Sequence, residues 1–163
     1  MNEVAAAERR RRAAAKYRPA QIDLLLVGEA PPTALDRYFY FADVREHDGL
    51  FRYVAKMILG AVPPRDQKRE ALEQLKDRRV FFIDLVEDPF DVAPLETHVP
   101  GLIPRVKRLR PERIILIKVD VFDAAFAALR TAGLPVVDQR IPFPSSGQQR
   151  RFEHAFGRAL AAV

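Results

Sequence analysis

Apolar residues along this chain come in short unbroken runs, separated by stretches with a helical period. The first run, Ile22-Asp23-Leu24-Leu25-Leu26-Val27, ends at Gly28. The second is Val80-Phe81-Phe82-Ile83-Asp84-Leu85, and the third is Arg113-Ile114-Ile115-Leu116-Ile117. Runs this short, with no strict alternation, read as strands covered on both faces. A fourth, weaker run near Pro135-Val136-Val137 predicts a short last strand.

Between the runs the period lengthens. Residues 3–16 are rich in Ala, Arg and Glu, which favour helix, and Pro19 ends the segment. Gly49 to Leu59 predicts a helix with Leu50, Phe51, Val54, Met57 and Ile58 inward. Residues 65–77 form an amphipathic pattern with Ala71, Leu72 and Leu75 on one face. Further helices are expected at Val99–Leu109, stopped by Pro111, at 120–132, capped by Gly133, and at 148–161. The long segment 28–47 holds Pro31, Pro32 and an aromatic cluster but no helical period, so it reads as a functional loop.

The order is one helix, then strand–helix four times over. It predicts an α/β fold with a four-stranded parallel sheet, right-handed crossovers and helices on both faces, a three-layer α/β/α arrangement. Residues 1–20 form a basic helical extension and 21–163 the domain proper. Ligands of such sheets bind beyond the carboxyl ends of the strands. The loops from Gly28, from Asp84 and from Ile141 to Gly147 should therefore meet at one rim.

Composition narrows the chemistry. There is no cysteine, which excludes disulfides, thiolate catalysis, zinc–cysteine sites and cysteine-held iron–sulfur clusters. His47, His98 and His154 are scattered, so no metal site is expected, and no cofactor either. No apolar run spans a bilayer and no secretory signal is recognisable, so a cytoplasmic protein without membrane contact is expected. The net charge is +5, and residues 1–20 carry +4 of it through Arg9, Arg10, Arg11, Arg12, Lys16 and Arg18 against Glu3 and Glu8. Such a segment could follow a phosphate backbone; the plainer reading is a solvated extension.

The candidate site begins at Gly28-Glu29-Ala30-Pro31. A glycine at a strand end lets backbone approach a ligand closely. Glu29 beside it could orient water or stabilise a cationic transition state, or simply face solvent. Phosphate-loop and dinucleotide fingerprints are absent, so nucleoside triphosphate hydrolysis and hydride transfer lack support. In Arg37-Tyr38-Phe39-Tyr40-Phe41, Phe39 or Phe41 could stack on a flipped base, although alternating aromatics are commonly core. Ser145-Ser146-Gly147, followed by Arg150, could hold a phosphate at the start of the last helix, or Ser145 could be an ordinary N-cap. Asp43 and Asp48 are further carboxylates near the long loop.

These segments together resemble the uracil-DNA glycosylase superfamily. A buried first strand followed by Gly-Glu-Ala-Pro is similar to its first motif. Arg37 to Phe41 followed by Leu50-Phe51 resembles the aromatic stretch of its mismatch-specific branch. Phe143-Pro144-Ser145 resembles its second motif, usually His-Pro-Ser or Asn-Pro-Ser. The resemblance covers roughly residues 22–160. It implies a divergent enzyme that excises a damaged or deaminated base from DNA, single-stranded or lesion-containing, without a cofactor. Glu29 would be catalytic, as in branches with a glutamate at that position. Asp84 would read the base where relatives carry asparagine, and Phe143 would sit at the base.

Three departures qualify the picture. Ala30 is inert where many relatives carry a catalytic group. Phe143 has no donor for the departing base, and Pro32 lacks an N–H. An ionised Asp84 only accepts hydrogen bonds, which would suit a base edge with two donors and disfavour plain uracil; protonation by burial would restore a donor. Asp84 could instead only cap its loop. The erased positions keep open a non-catalytic nucleic-acid or nucleobase binding module with the same fold, and an unrelated small-molecule hydrolase.

Overall fold

The computed structural model describes residues 2–162. Its centre is a parallel sheet of β1 (Leu24–Gly28), β2 (Val80–Asp84) and β3 (Arg113–Leu116), in the order β2-β1-β3. Central β1 is buried at every position, as an unbroken apolar run requires. Leu24 pairs with Val80 and Arg113, and the register runs forward until Gly28 lies beside Asp84. The ladder continues past the strand ends: Leu85 donates to Gly28 O and Val86 to Glu29 O, both at 2.8 Å.

Among the described residues six α-helices surround the sheet: α1 (Glu3–Lys16), α2 (Gly49–Leu59), α3 (Lys68–Asp77), α4 (Val99–Leu109), α5 (Val119–Thr131) and α6 (Gln149–Ala161). Each helix falls where the periodicity places it. Asp48 caps α2 by accepting from Phe51 N at 3.1 Å. Gly133, with φ +77°, ends α5: Leu134 N reaches back to Leu129 O and Gly133 N to Arg130 O, a Schellman closure. Helix α2 packs on α3 and α6, and α4 on α5, so the helices form two sets.

Two expectations change. The fourth strand does not form. Among the described residues the sheet has three strands, and Val136 makes only an isolated parallel bridge to Ile114. Proline at 135 has no N–H to give a ladder, so pairing is confined to Pro135 O and Val137 N on either side of the bridge.

The basic extension is also not a solvated arm. Helix α1 buries Ala6 and Arg10, and Tyr17, just after it, stacks on Tyr40 at 6.0 Å between ring centres. Arg9 lies 4.1 Å over the Phe41 ring. No helix among the described residues is long and apolar enough to cross a membrane.

Candidate functional site at the carboxyl ends of the strands

A cavity of about 250 Å³ opens at the carboxyl rim of the sheet. Its walls come from the loop after β1 (Gly28 to Pro32), Tyr38 and Phe39, Asp48 at the start of α2, Phe82 and Asp84 of β2, Ile117 and Lys118 after β3, and Phe143. The carboxyl ends of parallel strands gather these residues from distant parts of the chain.

Gly28 is there because nothing larger fits. A Cβ at that position would stand 2.8 Å from Phe82 Cζ and 3.2 Å from Asp84 Oδ1. The Phe82 ring cannot easily yield, since it stacks on Phe39 with centres 4.5 Å apart and planes 21° from parallel. Together the two rings give the cavity an aromatic wall. Phe82 N also donates to Tyr40 Oη at 2.6 Å, which ties β2 to the aromatic segment.

Three carboxyl groups line the cavity, and two of them, Asp84 and Glu29, sit in contrasting surroundings. Asp84 is 7% exposed, and burial pushes its carboxyl up to about 8, helped by the nearby negative charge of Asp48 and opposed by Arg105 and Arg10. At neutral pH it is mainly a neutral acid, with one O–H donor and one carbonyl acceptor. Glu29 sits at the mouth, and its Oε2 lies 2.6 Å from Lys118 Nζ with both side chains about one-third exposed.

Sequence reasoning missed Phe82 of the aromatic wall and, more consequentially, Lys118. Its backbone has φ +84° and ψ +132°, a conformation a side chain resists. Neighbouring bonds hold it: its N–H donates to Ile141 O at 3.0 Å, its carbonyl accepts from Phe122 N at 3.1 Å, and its amine reaches Glu29. One signal was available. Lys118 follows the third apolar run as Glu29 follows the first.

Asp48 also faces the cavity, and burial raises its carboxyl above the usual range. Behind it lies Lys68, fully buried, which donates to Tyr38 O at 3.1 Å and stands 4.5 Å over the Phe51 ring. Burial lowers its amine to about 8, with Asp48 opposing the shift.

No protein-family model and no curated protein matches this chain.

The structure thus brings Gly28, Glu29, Ala30, Pro31, Phe39, Asp84 and Phe143 together around one cavity. It does not bring Phe41, which is buried against Tyr38 and covered by Arg9. Nor do Ser145, Ser146, Gly147 and Arg150 join the wall. They are exposed, and Ser145 does not cap α6, whose N-cap is Gln148. Ser145 instead turns the loop: its N–H donates to Phe143 O and its carbonyl accepts from Gln148 N, each at 2.8 Å. Asp43 is exposed and lies outside the wall. His47 bonds to Pro63 O at 2.6 Å, and among the described residues no cluster of three or more His, Asp or Glu forms a metal-binding set.

Proposed function

We propose that this chain is a divergent uracil-DNA glycosylase-like enzyme that hydrolyses the N-glycosidic bond of a deaminated base in DNA. One observation carries the reading: Glu29 and Asp84 line a single cavity that also holds the stacked Phe39–Phe82 wall. At about 250 Å³ the cavity lies just below the roughly 300–1,000 Å³ of common ligand sites, and suits one flat base rather than a larger molecule. The parallel sheet with helices in two sets is compatible with the α/β/α layering of that superfamily.

In this reading the base leaves the stack and lies against the aromatic wall. Protonated Asp84 presents a donor beside an acceptor, as an amide does. It therefore matches a lactam edge, N–H beside C=O, which deamination creates in uracil, hypoxanthine and xanthine. Burial removes the reason for disfavouring uracil that an ionised Asp84 would give.

Water attacks the sugar C1′ as the bond to the base breaks, and the bond's electrons leave with the base. Glu29 stabilises the positive charge on the sugar and accepts the proton of the attacking water. Lys118 holds Glu29 in place. It also supplies a cationic donor in the wall, a part that Phe143 cannot play.

A second reading, a binding module without chemistry, has a specific observation in its favour. Glu29 is already ion-paired to Lys118 at 2.6 Å, and Ala30 and Phe143 offer no reactive group. One assay separates the two. The protein is incubated with single-stranded and duplex oligonucleotides carrying uracil, hypoxanthine or xanthine, and abasic sites are counted. Base release that disappears in Glu29→Gln supports the enzyme. Salt-sensitive binding without release supports the module, and absence of any binding sinks both.

A further inference from the structure

Beside the base-sized cavity lies a larger one of about 550 Å³. The two share Pro31, Tyr38, Phe82 and Asp84. Its other side is α1, which contributes Arg10, and it is closed by the end of β2 and by Arg105 of α4.

The four consecutive arginines of α1 meet different fates. Arg9 lies over Phe41 and reaches Leu35 O at 3.5 Å. Arg11 and Arg12 are exposed and both pair with Glu8, at 2.8 and 3.1 Å. Arg10 and Arg11 both border the cavity, but of the four only Arg10 is buried, at 9% exposed. Among the described residues its guanidinium has no hydrogen-bond acceptor and no carboxylate at ion-pair distance. Its stem is enclosed while its unpaired donors border the cavity rather than a protein acceptor, a placement that suits an anion bound in the cavity.

Asp84, the acidic group of the wall whose charge Arg10 influences, forms no hydrogen bond or ion pair with it, and burial favours its neutral form. The other three acidic groups do not supply a partner either. Glu87 faces Arg105 at 3.5 Å, and Asp88 accepts from Phe90 N at 2.9 Å. Glu3 lies in the exposed first turn of α1. Arg105 is itself committed to Asp84 O at 2.8 Å. A guanidinium fork matches two oxygens of a phosphate.

We infer that Arg10 binds a phosphate of the nucleotide whose base occupies the smaller cavity, so that α1 is part of the substrate site. The inference rests on the base-reading role proposed above. It assigns the phosphate contact to Arg10 rather than to the exposed Ser145–Gly147 loop.

The test is calorimetric titration of the full chain at low salt. The probes are deoxyuridine, deoxyuridine 5′-monophosphate, a pentadeoxynucleotide with a central uracil and only internal phosphodiesters, and inorganic phosphate. At least one phosphate-bearing nucleotide should bind tenfold or more tightly than deoxyuridine, and which one gains tells monoester from diester. Arg10→Gln should erase that preference, Arg10→Lys should keep part of it, and Arg12→Gln, exposed and outside the cavity wall, should keep all of it. Equal binding of deoxyuridine and both phosphate-bearing probes overturns the anion site and leaves the base reading standing. So does a preference that survives in a folded Arg10→Gln. Arg10-dependent binding of inorganic phosphate without binding of deoxyuridine overturns the base reading and keeps the anion site. No binding of any probe overturns both.

Discussion

Neighbouring strands β1 and β2 end side by side, with Gly28 in register with Asp84, yet they deliver their carboxyl groups into opposite conditions. The end of β1 turns outward, so Glu29 remains in contact with water and meets a cation. The end of β2 stays inside the fold, and Asp84 is almost wholly enclosed, with no cation in hydrogen-bonding contact with its side chain. The same functional group thus meets an ammonium in one place and is turned into a proton donor in the other. A carboxyl that burial keeps protonated, beside one held by a cation in the same cavity, is a recognised sign of divided labour. Here the division comes from one residue of chain beyond the strand end.

The sharpest way to break this contrast is to neutralise the β1 side. Glu29→Gln is expected to lower base release by about 10²–10⁴-fold, the usual scale for a lost acid–base group. Its thermal midpoint should barely move, because a partly exposed ion pair is worth about 1 kcal/mol or less. Comparable losses in activity and stability would assign Glu29 a structural role instead.

The β2 side is tested by pH. Folded Asp84 keeps its proton to about pH 8, whereas the unfolded chain releases it near the ordinary value of 3.8. Over that interval the native state binds more protons, so stability falls as pH rises and levels off above about 8. Asp84→Asn should flatten this slope and gain on the order of a few kcal/mol relative to the parent at pH 8, measured by denaturant unfolding across pH 4–9. It should also keep lactam-base binding above pH 8, where the parent loses its donor. An unchanged slope would show that Asp84 is ionised in the folded protein.

A third test removes the register that sets the two ends side by side. Gly28→Ala drives a methyl group into Phe82 and should cost about 1–3 kcal/mol by overpacking. A neutral result would mean that the aromatic wall shifts freely. The smallest effect is expected away from both strand ends. Ser145→Ala should change stability by less than about 0.5 kcal/mol and leave nucleotide binding intact, since Ser145 is exposed and caps nothing. A tenfold loss of binding would return the phosphate role to that loop.

What the sequence made legible follows from how far each signal is local. Gly28, Glu29 and Asp84 could be found because they end apolar runs, and a run's end is visible without knowing its neighbours. Lys118 ends a run too, but its role depends on Glu29 reaching across from another strand. The helices announced themselves by period and caps. The fourth strand was overread, because Pro135-Val136-Val137 has strand-forming residues but too few N–H groups to build a ladder. Lys68 was hidden although the pattern held it: it shares a helical face with Ala71, Leu72 and Leu75, all buried. Arg10 likewise shares a face with Ala6 and precedes Tyr17 by two turns of helix. A run of four arginines on a helix must point in several directions, and only packing decides which one is enclosed.

Position 118 carries one more implication. Its dihedral angles are ones that glycine adopts freely and lysine does not. A screen that rewarded only resistance to heat would favour glycine there, and would discard the amine that faces Glu29. At this single point on the rim, robustness of the fold and competence of the cavity pull the residue choice in opposite directions.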